Sequence, residues 1–277
     1  MSDPALALLV AFLGASVGSF LNVVAWRLPR LESLFFPASH CPRCGSSLAW
    51  YENLPVLGWL GRLGRCGHCR APIALRYPLV ELLTAGLWVA VLLARPAGMG
   101  APPVWLLLPA GWLLVSWLIP LALIDCDHLW LPEPLCRWGL LLGLGSTAVL
   151  GLSQSAEHAR ALLFDHLLAA AIGLLAFEAL SALGEWLIGQ PALGLGDAKL
   201  TALLGAWLGL VGMGLAVALA VLAGALVGGA ARLCGRLKPQ QPFPFGPFLA
   251  CGGLAVWLAG DAWWLQLQAA LLSGVGL

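Results

Sequence analysis

The sequence predicts an all-α polytopic membrane protein with about eight transmembrane helices and a small cysteine-rich loop domain. Of its 277 residues, 61% are hydrophobic and only 10% are charged, whereas soluble domains carry about 25% charged residues. Stretches such as residues 104–124 are apolar on every face, while the strands of a membrane barrel alternate apolar and polar side chains. We therefore expect helices, and not a barrel, to cross the membrane.

Eight stretches are long enough to cross a hydrocarbon core, which takes about 20 residues of helix. They cover residues 4–26, 78–95, 103–124, 132–152, 161–187, 196–210, 212–234 and 245–271. The first is predicted to be a retained helix, because it lacks the preceding basic region and polar cleavage site of a signal peptide. The predicted domains are the first transmembrane helix (1–26), a polar loop (27–77) and a seven-helix membrane domain (78–277).

The distribution of lysine and arginine predicts the orientation, since positively charged loops stay in the cytoplasm. Seven of the 14 basic residues lie between Arg27 and Arg76, so this loop is predicted to be cytoplasmic. With eight crossings, the remaining basic residues also lie on the cytoplasmic side, except Arg95 and Arg160. Both termini then lie outside. The net charge of +1 gives no basic patch for nucleic acid, so membrane lipid is the expected environment.

Two CxxC motifs in the polar loop predict a metal site. One contains Cys41 and Cys44 and the other Cys66 and Cys69, and four thiolates at this spacing suit tetrahedral zinc. A pair of disulfides is the alternative, but thiols stay reduced in the cytoplasm. Four cysteines close the coordination sphere, so the zinc is predicted to be structural and to supply much of the folding free energy of the loop.

Several other glycine, glutamate and cysteine residues have simpler interpretations. Gly45 and Gly67 suit tight turns in the two motifs, and Glu81 is expected to favour the N-terminus of the second span. Four cysteines lack partner spacing and are expected to be ordinary buried thiols: Cys126, Cys136, Cys234 and Cys251.

Two aspartates within apolar stretches are candidates for catalysis, because an ionised carboxylate in hydrocarbon costs several kcal/mol. Asp125 closes the third span and Asp197 opens the sixth, and the predicted topology brings both to the cytoplasmic face at the same depth. Two such carboxylates can share a proton, one accepting from water and the other donating to a peptide carbonyl. The pair therefore suggests an aspartic peptidase, in which either residue could be the base.

The surroundings of these aspartates leave alternatives open. Asp197 by itself would be a helix cap, because a carboxylate at a helix start accepts free N–H groups. Gly194 and Gly196 allow either unusual backbone angles or a close approach of another chain segment. Asp127 and His128 are expected in a hydrated interfacial loop.

Motifs along most of the chain resemble those of the type IV prepilin peptidases. They occur in the order of that family from Gly18 to Ala250 and read GSFLNVVAWRLP, CPRCGSSLAWYENLPVLGWL, GRCGHCRAPIALRYPLVE, IDCDHLWLP, GLGDAKL and PFGPFLA. By motif, Asp125 matches the first catalytic aspartate of the family and Asp197 the aspartate of its GxGD signature. The four zinc cysteines of the family match Cys41, Cys44, Cys66 and Cys69.

This resemblance implies an enzyme with two activities. One removes the short basic leader of prepilins and pseudopilins at the cytoplasmic face of the bacterial inner membrane. The other transfers a methyl group from S-adenosylmethionine to the new N-terminal residue. The second activity follows from the resemblance alone, because the sequence contains no GxGxxG turn or other donor-binding pattern; a peptidase without it is the alternative.

Two further classes of protein remain as alternatives. An ion-coupled transporter could use Asp125 and Asp197 as a relay, but its carboxylates should be spread across the membrane and lie near discontinuous helices at the midplane. A zinc-loop scaffold for an assembly machine would not need the aspartates. Replacement of Asp125 distinguishes all three classes.

Overall fold

The computed structural model describes residues 3–94, 103–189, 194–236, 238 and 241–260. The helices are α1 (Pro4–Arg27), α2 (Leu57–Gly61), α3 (Arg76–Leu93), α4 (Val104–His128), α5 (Glu133–Leu152), α6 (Ala156–Ile188), α7 (Leu195–Leu233) and α8 (Gly246–Ala259), with a 3-10 turn at Leu28–Arg30. Within the described ranges no strand forms beyond two isolated bridges. Six helices are long and apolar enough to cross a membrane, and α8 is a shorter apolar helix. The all-α, multi-pass prediction is confirmed.

The first compact unit, Met1–Leu93, is built on the antiparallel packing of α1 and α3. Small residues of α1 allow the two backbones to approach closely. A Cβ on Gly14 would lie 3.0 Å from the Cα of Ala85, and one on Gly18 would lie 2.9 Å from the Cα of Glu81. One turn further along α1, the side-chain amide of Asn22 donates to the carbonyl of Tyr77 at 3.2 Å. The same register therefore continues to the end of the helix pair.

Glu81 ties the polar loop to this helix pair. The residue is only 8% exposed, and its carboxylate accepts the backbone N–H of Val56 at 2.7 Å and is hydrogen-bonded to the hydroxyl of Ser19. The prediction that Glu81 favours a helix N-terminus was wrong, because α3 begins at Arg76 and its first turn contains no acidic residue. The carboxylate instead satisfies the half-buried N–H of a loop residue.

The second compact unit, Ala94–Leu277, contains α4 to α8, and α7 lies against α5, α6 and α8. Indole N–H groups link neighbouring helices within it. Trp207 donates to the carbonyl of Gly139 at 2.9 Å, and Trp117 donates to the carbonyl of Leu135 at 2.8 Å. A Cβ on Gly143 would lie 2.6 Å from the Trp207 ring, so glycine leaves room for the indole.

The long helix α7 is interrupted at Gly209, whose φ of 68° and ψ of −176° are non-helical. A straight helix of 39 residues would measure about 58 Å, almost twice a hydrocarbon core. Leu204 and Ala216, about 18 Å apart along a straight helix, instead contact the neighbouring residues Gly253 and Gly252 of α8. The chain therefore reverses direction at Gly209, as predicted by the boundary between the sixth and seventh stretches.

Side chains of α5 and α6 satisfy the polar groups at this reversal. Asp165 accepts the backbone N–H of Leu210 at 3.1 Å. The Nδ1 atom of His166 lies 3.0 Å from the carbonyl oxygen of Ala206, which also accepts from the hydroxyl of Thr147 at 3.2 Å. Free backbone groups within a membrane cost several kcal/mol each, so these contacts stabilise the two segments on either side of Gly209 as separate helices.

The helix ends require several corrections. Helix α4 continues to His128, so Asp127 and His128 lie in its last turn and not in a loop.

The prediction that the four remaining cysteines are buried is confirmed only in part. Cys136 is buried, but Cys126, Cys234 and Cys251 are exposed. Arg95 and the end of the eighth predicted stretch, residues 261–271, lie outside the described residues.

Candidate active site

Asp125 lies in the last turn of α4 and is only 5% exposed. Its Oδ2 atom accepts the backbone N–H of Gly246, the first residue of α8, at 2.9 Å. A Cβ at position 246 would lie 2.8 Å from the same oxygen, so this close approach requires glycine. The sequence analysis assigned no role to Gly246. A glycine directly after Phe245, at the start of an apolar stretch, was the signal for a close approach of another helix.

Asp197 lies in the first turn of α7 and is half-buried. Its Oδ2 atom accepts the backbone N–H of Gly194 at 3.2 Å, which is the helix-cap interaction considered as an alternative. Gly194 itself has an ordinary extended conformation, with φ of −72°. Gly196 serves close packing, because a Cβ there would lie 3.0 Å from the Cβ of Leu131.

The structure brings Asp125 and Asp197 close enough for their charges to interact. Leu131, in the connection between α4 and α5, is buried and packs against Gly196, which holds the start of α7 beside the end of α4. The cap interaction of Asp197 and its proximity to Asp125 therefore coexist. The catalytic role of both residues stays a prediction.

Other polar groups lie around this pair. Cys136, near the start of α5, is within electrostatic range of Lys199, Glu133 and Asp197. One cation and a further carboxylate thus lie at the same end of the second unit as the aspartates. Asp125 and Asp197 thus lie at one end of the unit and are not spread across the membrane as the carboxylates of an ion relay would be.

The arrangement suits proton sharing at one site. Each aspartate has its Oδ2 atom bound by a backbone N–H. Two nearby carboxylates cannot both ionise freely, so a single proton between them is favoured. One carboxylate could then accept a proton while the other donates one.

The four predicted metal ligands come together in the polar loop. The Sγ atoms of Cys41, Cys44, Cys66 and Cys69 all lie within 4.8 Å of one another. Those of Cys41 and Cys69 are 3.8 Å apart and those of Cys44 and Cys66 are 4.0 Å apart. Zn–S bonds of about 2.3 Å in a tetrahedron separate the sulfurs by about 3.8 Å, whereas a disulfide needs about 2.05 Å. The donor set fits one tetrahedral metal ion.

Both CxxC motifs have the same hydrogen bonds. The N–H groups of Gly45 and Arg70 donate to the carbonyls of Cys41 and Cys66, respectively. Both donors have positive φ, 70° at Gly45 and 58° at Arg70. The expected turn at Gly45 is confirmed, but the equivalent position is Arg70 and not Gly67. Glycine at 67 instead makes room for Glu52, since a Cβ there would lie 2.6 Å from its Oε1 atom.

The backbone of each motif favours ionised thiols. The N–H groups of Cys44 and Arg43 lower the pKa of Cys41 to about 6, and those of Cys69 and His68 lower the pKa of Cys66. The pKa of Cys44 is raised to about 11 although the Ser46 N–H lowers it, because desolvation and the adjacent thiols oppose its ionisation. A divalent cation would offset this repulsion among clustered thiolates.

The polar loop has almost no hydrophobic core. Between residues 28 and 75, the buried residues are two of the clustered cysteines and two glycines: Cys41, Gly58, Gly64 and Cys66. An ion pair between Arg62 and Glu52 at 2.7 Å adds a polar link. So little burial cannot offset the entropy of ordering such a segment, which makes metal binding the main candidate for stabilising it.

The fold and the carboxylate pair define the class as a multi-pass helical membrane protein with a candidate aspartic site at one end of its second unit. Sequence profiles of the Bacterial Peptidase A24 N-terminal domain and of the Type IV leader peptidase family match residues 12–95 and 112–229, respectively. The Prepilin leader peptidase/N-methyltransferase of Aeromonas hydrophila is 38% identical, over 93% of both chains. This chain therefore belongs to the type IV leader peptidase family.

Other relatives have similar names. The Prepilin leader peptidase/N-methyltransferase of Myxococcus xanthus is 43% identical over 81% of this chain, and the match spans 63% of that protein. The Type 4 prepilin-like proteins leader peptide-processing enzyme of Escherichia coli is 33% identical over 87% of this chain and 90% of its own length. No solved structure matches the chain.

Proposed function

We propose that this protein removes the leader peptide of prepilins and pseudopilins and then N-methylates the new N-terminal residue. Family membership supports the substrate class and both activities. The observation that carries the peptidase half is the proximity of Asp125 and Asp197 at one end of the second unit. An apolar substrate helix can lie in the membrane beside that unit while its polar leader stays in water.

In the proposed cleavage, one aspartate is ionised and the other is protonated. The ionised carboxylate takes a proton from a water molecule as the water attacks the scissile carbonyl carbon, and the protonated one donates to the carbonyl oxygen. The peptide C–N bond then breaks as the first carboxyl group gives its proton to the leaving nitrogen, and the second carboxylate regains a proton from a hydroxyl of the tetrahedral intermediate. The Gly246 and Gly194 N–H groups hold the two carboxylates in place for these transfers.

Two cofactors belong to the proposal. Zinc bound by the four clustered cysteines is structural, because four protein ligands leave no open coordination position. S-adenosylmethionine supplies the methyl group. A charged, water-soluble donor of this kind needs polar partners within the protein, and the first unit contains a cavity that offers them.

We also propose that the protein lies in the bacterial inner membrane with its polar loop and active site in the cytoplasm. The support is the arginine-rich loop, because translocation disfavours positively charged loops. An alkaline-phosphatase fusion within residues 27–76 should be inactive, and one after Leu277 should be active. The opposite pattern would place the aspartates on the wrong side for a cytoplasmic leader.

The two proposed activities are tested together by incubating detergent-solubilised protein with a purified prepilin and S-adenosylmethionine. We expect mass spectrometry to show loss of the leader, followed by a gain of one methyl group at the new N-terminus. An intact prepilin would contradict the peptidase. Loss of the leader without the methyl group would contradict the methyltransferase alone.

A further inference from the structure

A cavity of about 410 Å³ lies within the first compact unit, between α1 and the loop segments that follow it. Its α1 side includes Phe12, Ser16, Phe20 and Arg27, whose spacing keeps them on one face of the helix. The opposite side consists of loop residues between 34 and 55. The volume is within the range of small-molecule sites, roughly 300–1,000 Å³.

Arg27 supplies a buried positive charge to this cavity. The residue is only 6% exposed, and its guanidinium donates one hydrogen bond to the carbonyl of Ser33 at 3.0 Å. Among the described residues, no carboxylate forms an ion pair with Arg27. A guanidinium has five N–H donors, and a buried charge without a counter-ion is costly. The planar guanidinium of Arg27 can donate two parallel hydrogen bonds, which suits the carboxylate of a ligand.

The other cavity residues suit the remaining parts of a nucleoside methyl donor. Phe20 and Phe35, which are 45% and 76% exposed, provide aromatic rings at the open side of the cavity, and such rings stack on bases and attract cations such as a sulfonium. The amide of Asn53 and the hydroxyl of Ser39 also line the cavity. An asparagine amide can pair with the edge of adenine.

A second cavity, in the other compact unit, provides a contrast. It measures about 400 Å³ and is lined mainly by aliphatic residues of α4 and α5, such as Leu106, Leu113 and Leu142. It has no charged lining residue, so it suits an acyl chain and not a zwitterionic or cationic ligand.

We propose that the cavity in the first unit is the binding site for S-adenosylmethionine, with Arg27 bound to the carboxylate of its methionine part. The adenine lies near Phe20, Phe35 and Asn53, since Phe12 is about 22 Å from Arg27 along α1 and beyond the reach of the same donor molecule. This inference rests on the proposed methyltransferase activity and assigns it a site. It also separates the two activities, because the aspartates belong to the other unit.

Isothermal titration of the full-length, zinc-loaded protein in detergent with S-adenosylhomocysteine tests this site. S-adenosylhomocysteine contains the same carboxylate and adenosine as the donor, and binding does not depend on turnover. Arg27→Ala should weaken binding at least about tenfold, since it removes a charge-assisted hydrogen bond. Arg27→Lys should give an intermediate loss. Arg30→Ala is the matched control, because Arg30 is exposed, stacks on Trp26 and does not line the cavity.

A second pair of variants avoids dependence on Arg27, whose replacement could loosen the loop. Ser16→Trp should block the cavity and abolish binding, whereas Leu13→Trp, at a position outside the cavity on the same helix, should not.

Unchanged binding in both Arg27→Ala and Ser16→Trp would overturn the site while leaving the methyltransferase intact. Loss of co-purified phospholipid from Arg27→Ala, with unchanged S-adenosylhomocysteine binding, would overturn it in favour of a lipid phosphate. Absence of binding by a wild-type protein that methylates pilin would also overturn it, whereas a wild type that neither binds nor methylates would contradict the proposed second activity.

Discussion

Asp125→Asn and Asp197→Asn should each lower the rate of leader cleavage by about 10²- to 10⁴-fold, the usual effect of losing a general acid or base. An isosteric amide removes one proton-transfer partner while it keeps nearly the same volume. It can still accept the N–H of Gly246 or Gly194, so the local structure should persist. Because the two carboxylates act as a unit, the double variant should be hardly slower than either single variant.

The measurement is the rate of leader loss from a prepilin, with methylation of a pre-cleaved pilin as a second readout that should be unchanged. Asp127→Asn is the matched control, since Asp127 is an exposed aspartate two residues further along the same helix, and it should have a mild effect. Near-normal cleavage by Asp197→Asn would mean that this residue only caps α7. That result would reject the two-aspartate mechanism.

Cys66→Ser should lower the zinc content from one ion per chain to well below half, and the loop between residues 28 and 75 should lose its order. Structural zinc contributes about 10–16 kcal/mol to the folding of small domains, and this loop buries little else. Cys41→Ser should behave in the same way. Metal analysis and limited proteolysis of purified protein measure the two effects.

Cys234→Ser is the control for the zinc experiment, because Cys234 is exposed and lies outside the four-cysteine cluster. It should keep its zinc and its resistance to proteolysis. Wild-type protein that contains no zinc and has its four loop thiols oxidised in pairs would reject the metal site. Because the proposed site is closed, chelation should impair cleavage only as far as the loop unfolds.

The sequence alone predicted the features that depend on composition and local spacing. Hydrophobic content and run length predicted a helical membrane protein, since every spanning segment must satisfy its own backbone hydrogen bonds. The paired CxxC motifs predicted the four-cysteine cluster, because two short turns are enough to position four thiols. The break near position 210 was also predictable, since a single helix of that length exceeds the membrane thickness.

The topology derived from the arginines predicted that Asp125 and Asp197 lie at one end of the protein, but not what holds them there. The glycines Gly194 and Gly196 indicated an unusual approach, and only the structure showed that the N–H of Gly194 donates to Asp197 and that Gly196 packs on Leu131.

Only the tertiary structure decided which distant groups pair with one another. The contact between Gly246 and Asp125, the bond from Val56 to Glu81 and the burial of Arg27 beside a cavity all join residues whose separation in sequence carries no periodic signal. Their partners are set by how the helices pack. The sequence therefore determined what kind of protein this is and which residues could react, whereas packing determined which backbone groups position them and where a charged ligand could bind.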